Sequence, residues 1–299
     1  MTAGPPRVVA LVPTWCAAGF IDRTLDTLAA QTCPNLEILI SDDASPDDTA
    51  VRCEARADRD PRFRVIRQPR NLGWTGNVNA LLAAARGDYF VFAFQDDWPE
   101  PAYIERCVAL LESDASAVMA FSDIVLIGQD EAREEKAYAA LDDASTRVER
   151  ARRVAAQQGS WYIPNRGVFR ASAARAIGGL RRHRRGEFSA DWPWLLHMSL
   201  LGGFRRISER LVTKIYQPRS LSRSWDFGFA SWAAVTEDAM RMILSAPIPA
   251  GEKRVLLGTL AACLAGRAGR SGRFAVGRML RRAGLRRARP AAGTDTPRG

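Results

Sequence analysis

The chain has 299 residues, 47% hydrophobic and 25% charged, a composition that excludes wholesale disorder and suits one large core or a catalytic domain with a helical appendage. Its 43 Lys and Arg against 33 Asp and Glu leave a formal charge of +10, with residues 254–289 rich in arginine and free of acids, which points to an anionic partner. Five scattered cysteines (Cys16, Cys33, Cys53, Cys107, Cys263) and two histidines, His183 and His197, exclude a zinc site and point to a reducing compartment.

In chain order, residues 8–12 read as a buried strand, followed by helical spacing of Phe20, Leu25 and Leu28 over 20–30. A second strand, 36–40, stops at the acidic turn Asp42-Asp43. The run Ser45-Pro46-Asp47-Asp48 predicts a helix start, with Ser as N-cap, Pro at the first helical position and acids in the first turn. Then come a strand at 63–66, a helix at 75–85, a strand at 89–94, a helix at 99–111 and a strand at 118–122. Residues 128–158 are charged and Ala-rich and predict exposed helix, and 161–170 are aromatic and irregular. A glycine-flanked basic loop spans 178–187. The remainder predicts a buried helix at 191–201, a strand at 211–216, a helix at 227–244 and two short helices within 252–285.

Strands alternating with helices of this length imply βαβ units and a mostly parallel sheet covered on both faces. Ligands in such folds bind beyond the carboxyl ends of the strands. That rule selects Pro13-Thr14, Asp42-Asp43 and Gln95-Asp96-Asp97, each just past a predicted strand. Adjacent carboxylates at a buried strand end repel, and a hard divalent cation such as Mg²⁺ or Mn²⁺ relieves them while leaving positions for phosphate oxygens. A solvated turn is the ordinary alternative for any one Asp pair; the apolar strand YFVFAF before Asp96 and the second pair at Asp42-Asp43 argue for the metal.

The run RVVALVPTW…FIDRTLDTLAAQTCPNLEILISDDASPDDT, continued by RNLGWTGNVNALLAAARGDYFVFAFQDDW, resembles the family 2 inverting glycosyltransferases of the GT-A fold. The resemblance is strong over 7–123 and loose over 160–225. It implies a Rossmann-like, mostly parallel α/β sheet flanked by helices, a nucleotide-sugar donor (a UDP-sugar above others) and a divalent cation. Residue by residue, it implies that Pro13 and Thr14 contact the nucleotide and that Asp43, supported by Asp42, reads the base. Asp96 then lies near the ribose and metal, and Asp97 ligates the metal. The first loop departs from the family's usual Tyr-Asn, and Gln95 stands where a carboxylate is common.

An inverting transfer needs a base for the acceptor hydroxyl, and the resemblance implies Asp191, at the start of a helix and beside Trp192 and Trp194. Burial there raises a carboxyl pKa toward general-base values. A simple helix cap is the alternative for Asp191, and Glu187 is the alternative base. Arg181, Arg182, Arg184 and Arg185 are candidates for closing over the diphosphate or holding an anionic acceptor. Trp161, Tyr162, Asn165 and Arg166 are candidates for facing the acceptor.

The expected division is a catalytic domain over 1–225 (nucleotide-sugar half 7–123, acceptor half 124–225), a basic helical extension over 226–285 and a disordered tail over 286–299. The N-terminus has no charged leader followed by a long apolar run, and no apolar run reaches the roughly 20 residues of a membrane span. A cytoplasmic protein is expected, with the basic extension touching anionic membrane at its inner face. After Trp232 only Phe274 remains for base stacking, so nucleic acid is not expected. The acceptor is a glycan, a lipid-linked glycan or a small molecule. The competing reading is a non-catalytic nucleotide-sugar-binding protein on the same fold.

Overall fold

The computed structural model describes residues 4–157, 159–217 and 221–282, with side chains through residue 269. Four parallel strands open the chain: β1 (Val8–Thr14), β2 (Leu36–Asp42), β3 (Phe63–Arg67) and β4 (Tyr89–Phe92). Every residue of β1 and β4 is buried, as expected for strands covered on both faces. The covering helices from this half are α1 (Ile21–Ala29), α2 (Thr49–Ala57) and α3 (Trp74–Ala84). The spatial order is β3-β2-β1-β4, so the winding reverses between β1 and β4 and opens a crevice at their carboxyl ends.

The sheet continues through β5 (Asp97–Pro99), β6 (Ala117–Ile127), β7 (Arg133–Lys136), β8 (Val168–Arg170) and β9 (Gly203–Ile215). Its full order is β3-β2-β1-β4-β8-β6-β9-β5, with β7 added to β6. Long β6 and β9 run parallel; short β5, β7 and β8 are antiparallel to their neighbours. The two halves share one core, in which Phe92 meets Phe169 at 4.9 Å and Trp194 at 5.2 Å between ring centroids. The helices of this half are α4 (Tyr103–Ser113), α5 (Arg147–Ala155), α6 (Ala171–Ile177), α7 (Asp191–Leu201), α8 (Phe229–Ser245) and α9 (Ala250–Arg282).

Several elements differ from expectation, for physical reasons. The second helix starts at Thr49, not Ser45: the side chains of Ser45 and Thr49 bond the backbone of the first loop, and Asp47 bonds both that loop and Thr49 N. The expected helix at 99–111 begins only at Tyr103; Asp97–Pro99 is held as a strand by β9, and Pro101 disfavours helix at Glu100. Most of the described residues of 128–158 are not helix. Arg133–Lys136 forms a charged edge strand on β6, and only Arg147–Ala155 is α-helical, started by a capping box in which Glu149 N–H donates to Thr146 Oγ1 at 3.1 Å.

Residues 161–170 are ordered as a 3₁₀ turn, Ile163–Arg166, and strand β8. The late strand runs from Gly203, well before 211. Instead of two short helices the C-terminal region forms one, α9, because its glycines each cost only about 1 kcal/mol and no proline interrupts it. Leu256 and Leu260 are buried, Glu252 pairs with Arg147 at 2.9 Å, and Arg267 lies 3.6 Å over the Trp232 ring. The expected tail at 286–299 lies outside the described residues. Among the described residues no helix is long and apolar enough to cross a membrane.

Candidate functional site

Pro13 and Thr14 end β1 at the crevice, and the loop after them is tied to the loop after β2. Asp43 N–H donates to Thr14 O at 2.9 Å, and Thr14 Oγ1 donates to Asp42 Oδ1 at 3.4 Å. Ser45 Oγ accepts from Cys16 N at 3.0 Å, and Thr49 Oγ1 accepts from Ala17 N at 2.7 Å. These cross-loop bonds hold two non-glycine residues in left-handed backbone, Cys16 (φ 51°) and Ala44 (φ 56°). Such residues cost on the order of 1 kcal/mol each and persist where the surroundings over-determine them.

Asp42 and Asp43 are both 2% exposed. Asp42 accepts from Ser45 N at 3.0 Å, while Asp43 Oδ1 accepts from Leu72 N at 2.7 Å and so fixes the loop before α3. Burial pushes the Asp43 carboxyl above its ordinary value, against the lowering effect of that amide. Trp15 stands half exposed at the rim, its backbone clasped by Gln95. Gln95 Oε1 accepts from Trp15 N at 2.8 Å and Gln95 Nε2 donates to Trp15 O at 3.3 Å. A carboxylate at 95 lacks the donor half of this clasp.

Asp96 and Asp97 follow β4 at the same edge, 8% and 3% exposed. Two cations meet them. Arg166 Nε lies 2.7 Å from Asp97 Oδ2, and Lys214 Nζ lies 3.7 Å from Asp97 Oδ1 while contacting Asp96 Oδ2. The Lys214 contact follows from register, since Asp97 of β5 is directly opposite Lys214 of β9. Burial raises the Asp97 carboxyl more than Arg166 and Lys214 lower it.

Asp191 begins α7. Its Oδ2 accepts from Asn165 Nδ2 at 3.1 Å, while its buried Oδ1 has no hydrogen-bond partner. Burial pushes the carboxyl up to about 6, against the lowering effects of backbone amides and Arg166. Asn165 and Arg166 are adjacent in the 3₁₀ turn, so one turn reaches Asp191 with its amide and Asp97 with its guanidinium. Gly167 permits that turn to sit on β6, because a Cβ there would lie 2.6 Å from Ala120 O. Trp161, half-buried, packs edge-on against Tyr162 at 6.2 Å.

A scan of family models matches "Glycosyl transferase family 2" over residues 9–178. The chain belongs to glycosyl transferase family 2. An uncharacterized glycosyltransferase of Haemophilus influenzae is 33% identical over 109 residues, 36% of this chain and 34% of that protein. The aligned part spans about a third of the length of the first curated relatives. Among solved structures, S. aureus TarS 1-349 in complex with UDP-GlcNAc matches with a TM-score of 0.70 at 15% identity, over 86% of this chain and 72% of that one. The mannosyltransferase PcManGT of Pyrobaculum calidifontis, in complex with GDP-Man and Mn²⁺, matches with a TM-score of 0.55 at 19% identity, over 93% and 81%. These likenesses establish the GT-A fold.

In this family 2 chain, a divalent cation at the acid pair meets a suitable donor set. Both Asp97 carboxylate oxygens are buried, and apart from their ion pairs with Arg166 and Lys214 neither has a hydrogen-bond partner. Among the described residues no cluster of three or more Asp, Glu, His or Cys could hold a metal. A metal held by this pair would take its remaining ligands from diphosphate and water, the usual habit of Mg²⁺.

Glu187, the alternative base, is otherwise engaged. Its oxygens accept from Trp74 N at 3.1 Å, Thr75 N at 3.1 Å and Thr75 Oγ1 at 2.7 Å, capping α3 from more than a hundred residues away. The basic loop is also paired. Arg185 Nη2 reaches Asp226 at 3.2 Å and its Nε donates to Ser231 Oγ at 3.2 Å; Arg184 Nε reaches Glu237 at 3.0 Å. Arg182 lies 3.5 Å from Glu187 and Arg181 4.0 Å from Asp238, each side chain 60% exposed, the loosest of these pairs. Lys214, the Gln95 clasp and the Glu187 cap were absent from the sequence-based site. A lysine inside the strand pattern Leu-Val-Thr-Lys-Ile-Tyr was the one available signal, since a lysine in a half-buried strand needs a carboxylate.

Proposed function

We propose that the chain is an inverting glycosyltransferase that moves a sugar from a nucleotide-sugar, a UDP-sugar above others, to a hydroxyl of a glycan, lipid-linked glycan or small molecule. The observation that carries this reading is Asp191, whose carboxyl is raised to about 6 and whose Oδ1 is free to accept, held by the same turn that reaches the acid pair. Asp43 and Asp42, with Pro13 and Thr14, receive the nucleoside, Asp96 the ribose side and Asp97 the divalent cation. Mg²⁺ or Mn²⁺, when bound, supplies Lewis-acid neutralisation of the departing diphosphate.

The chain's own residues do the rest. The acceptor oxygen attacks the anomeric carbon and forms the new C–O bond while the bond to the diphosphate oxygen breaks on the opposite face. Its proton passes to Asp191 Oδ1, and Asn165 holds the other oxygen so that the free lone pair keeps its direction. Arg166, fixed against Asp97, sets the orientation of the acid pair. Trp161 borders the same turn and is assigned to the acceptor side. Arg182, exposed and only loosely paired, is assigned to an anionic group; Arg185 instead holds the loop to α8. The acid-free stretch 254–289 is assigned to anionic lipid.

Calorimetric titration of UDP with and without Mn²⁺, on the natural chain and on Asp97→Ala, tests the donor site. Metal-dependent binding lost in the variant is expected, followed by turnover of UDP-sugars. Silence toward UDP, dTDP, GDP and CDP would overturn the reading in favour of a non-catalytic protein.

A further inference from the structure

The acid pair carries two negative charges and is met by two positive ones, and the two cations are held very differently. Arg166 is locked: its guanidinium lies 5.7 Å over the Phe94 ring, its Nη1 donates to Tyr162 O at 3.4 Å, and its backbone oxygen accepts from Tyr103 Oη at 2.8 Å. Lys214 is held by the carboxylates themselves, with the Tyr216 ring 5.9 Å from its ammonium. It is also one of three lysines, with Lys136 and Lys253, among 43 basic residues. A lysine is a compact point charge on a flexible stem, whereas an arginine is a planar fork that holds its place.

The Lys214 ammonium contacts oxygens of both Asp96 and Asp97, the same oxygens a divalent cation needs. Both cannot hold them at once, because two cations sharing one pair of carboxylates repel across a few ångströms of half-dry protein. We propose that Lys214 is a resident counter-cation of the acid pair, which a divalent metal must displace. The displaced ammonium is then free to meet the charge of the nucleoside diphosphate. Metal and diphosphate therefore bind cooperatively, and metal alone binds weakly. This rests on the assignment of Asp97 as metal ligand.

The test is Mn²⁺ binding to the full chain, read from the electron paramagnetic resonance of free Mn²⁺, with and without UDP. Lys214→Met removes the charge at similar volume, and Lys214→Arg keeps it. Without UDP, the Met variant is expected to bind Mn²⁺ about tenfold more tightly than the natural chain, an order set by losing one close charge competitor. The Arg variant stays weak, and the tightening of Mn²⁺ binding by UDP shrinks in the Met variant. Equal or weaker Mn²⁺ binding by Lys214→Met overturns the proposal while leaving Asp97 as ligand, provided UDP still recruits Mn²⁺. Mn²⁺ binding that survives in Lys214→Met/Asp97→Asn, or that is absent from all chains even with UDP, overturns the metal-site assignment and the proposal together. Should Lys214→Met fail to fold, Lys214→Gln takes its place.

Discussion

Asp191 has one carboxylate oxygen bonded by Asn165 and the other free, and its pKa is raised by burial to about 6 from an ordinary 3.8. Two consequences follow with opposite signs in pH. The proposed base works when ionised, so kcat/KM should rise with pH through about 6 and then level off. Stability runs the other way: the folded chain binds this proton more tightly than the unfolded chain, so the contribution is full below the unfolded value and lost as pH rises through the folded one. Asp191→Asn should therefore cut turnover about 100-fold or more. Thermal melts should show the variant gaining more relative stability at pH 8 than at pH 4, with no gain at pH 8 counting against a strained buried carboxylate. Asn165→Ala removes the N–H that favours the ionised form. Turnover should fall on the order of tenfold, the worth of one oriented hydrogen bond, and the acidic limb should move to higher pH with UDP affinity unchanged. Asp43, Asp96 and Asp97 could be picked out along the chain because each stands just past a predicted strand, and Asp191 because the family resemblance implies an acid at the head of a helix. Lys214 could not be assigned, because its partner is set by the β5–β9 register, more than a hundred residues apart in sequence.

At the scale of elements, the side chains of one segment often serve another. Ser45-Pro46-Asp47-Asp48 reads as a helix start, yet the side chains of Ser45, Asp47 and the following Thr49 bond the first loop and so position the crevice. Glu187 caps α3, and it can reach there because Gly73 (φ 77°) leaves room: a Cβ at that position would lie 2.6 Å from its carboxylate. By contrast, α5 is capped locally, Thr146 and Glu149 each bonding the other's backbone. Because α5 packs against both α7 and α9, fraying its first turn should be felt in global unfolding. Thr146→Ala should cost about 1 kcal/mol in urea denaturation with an unchanged slope. Residues 128–146 defeated periodicity because an exposed edge strand of charged residues has no apolar face to alternate with a polar one.

At the scale of the molecule, α9 anchors its first half on α5 and α8 through Leu256, Leu260 and the Glu252–Arg147 pair. The part of the acid-free basic stretch that lies within α9 is thereby carried on the same core as the crevice. If it meets anionic lipid as proposed, replacing Arg270, Arg273, Arg278, Arg281 and Arg282 with Gln should abolish co-sedimentation with phosphatidylserine vesicles, while UDP binding persists. Co-sedimentation equal to that of the natural chain would sink the membrane assignment. The sequence by itself determined the parallel half, the crevice edge and the acids that line it, because apolar runs and strand-end positions are local properties of the chain. Only the tertiary structure decided which cations meet those acids, which glutamate is spent on a helix and which turn joins Asp191 to Asp97. Those pairings depend on strand register and on loops closing over long separations, and no local pattern records them.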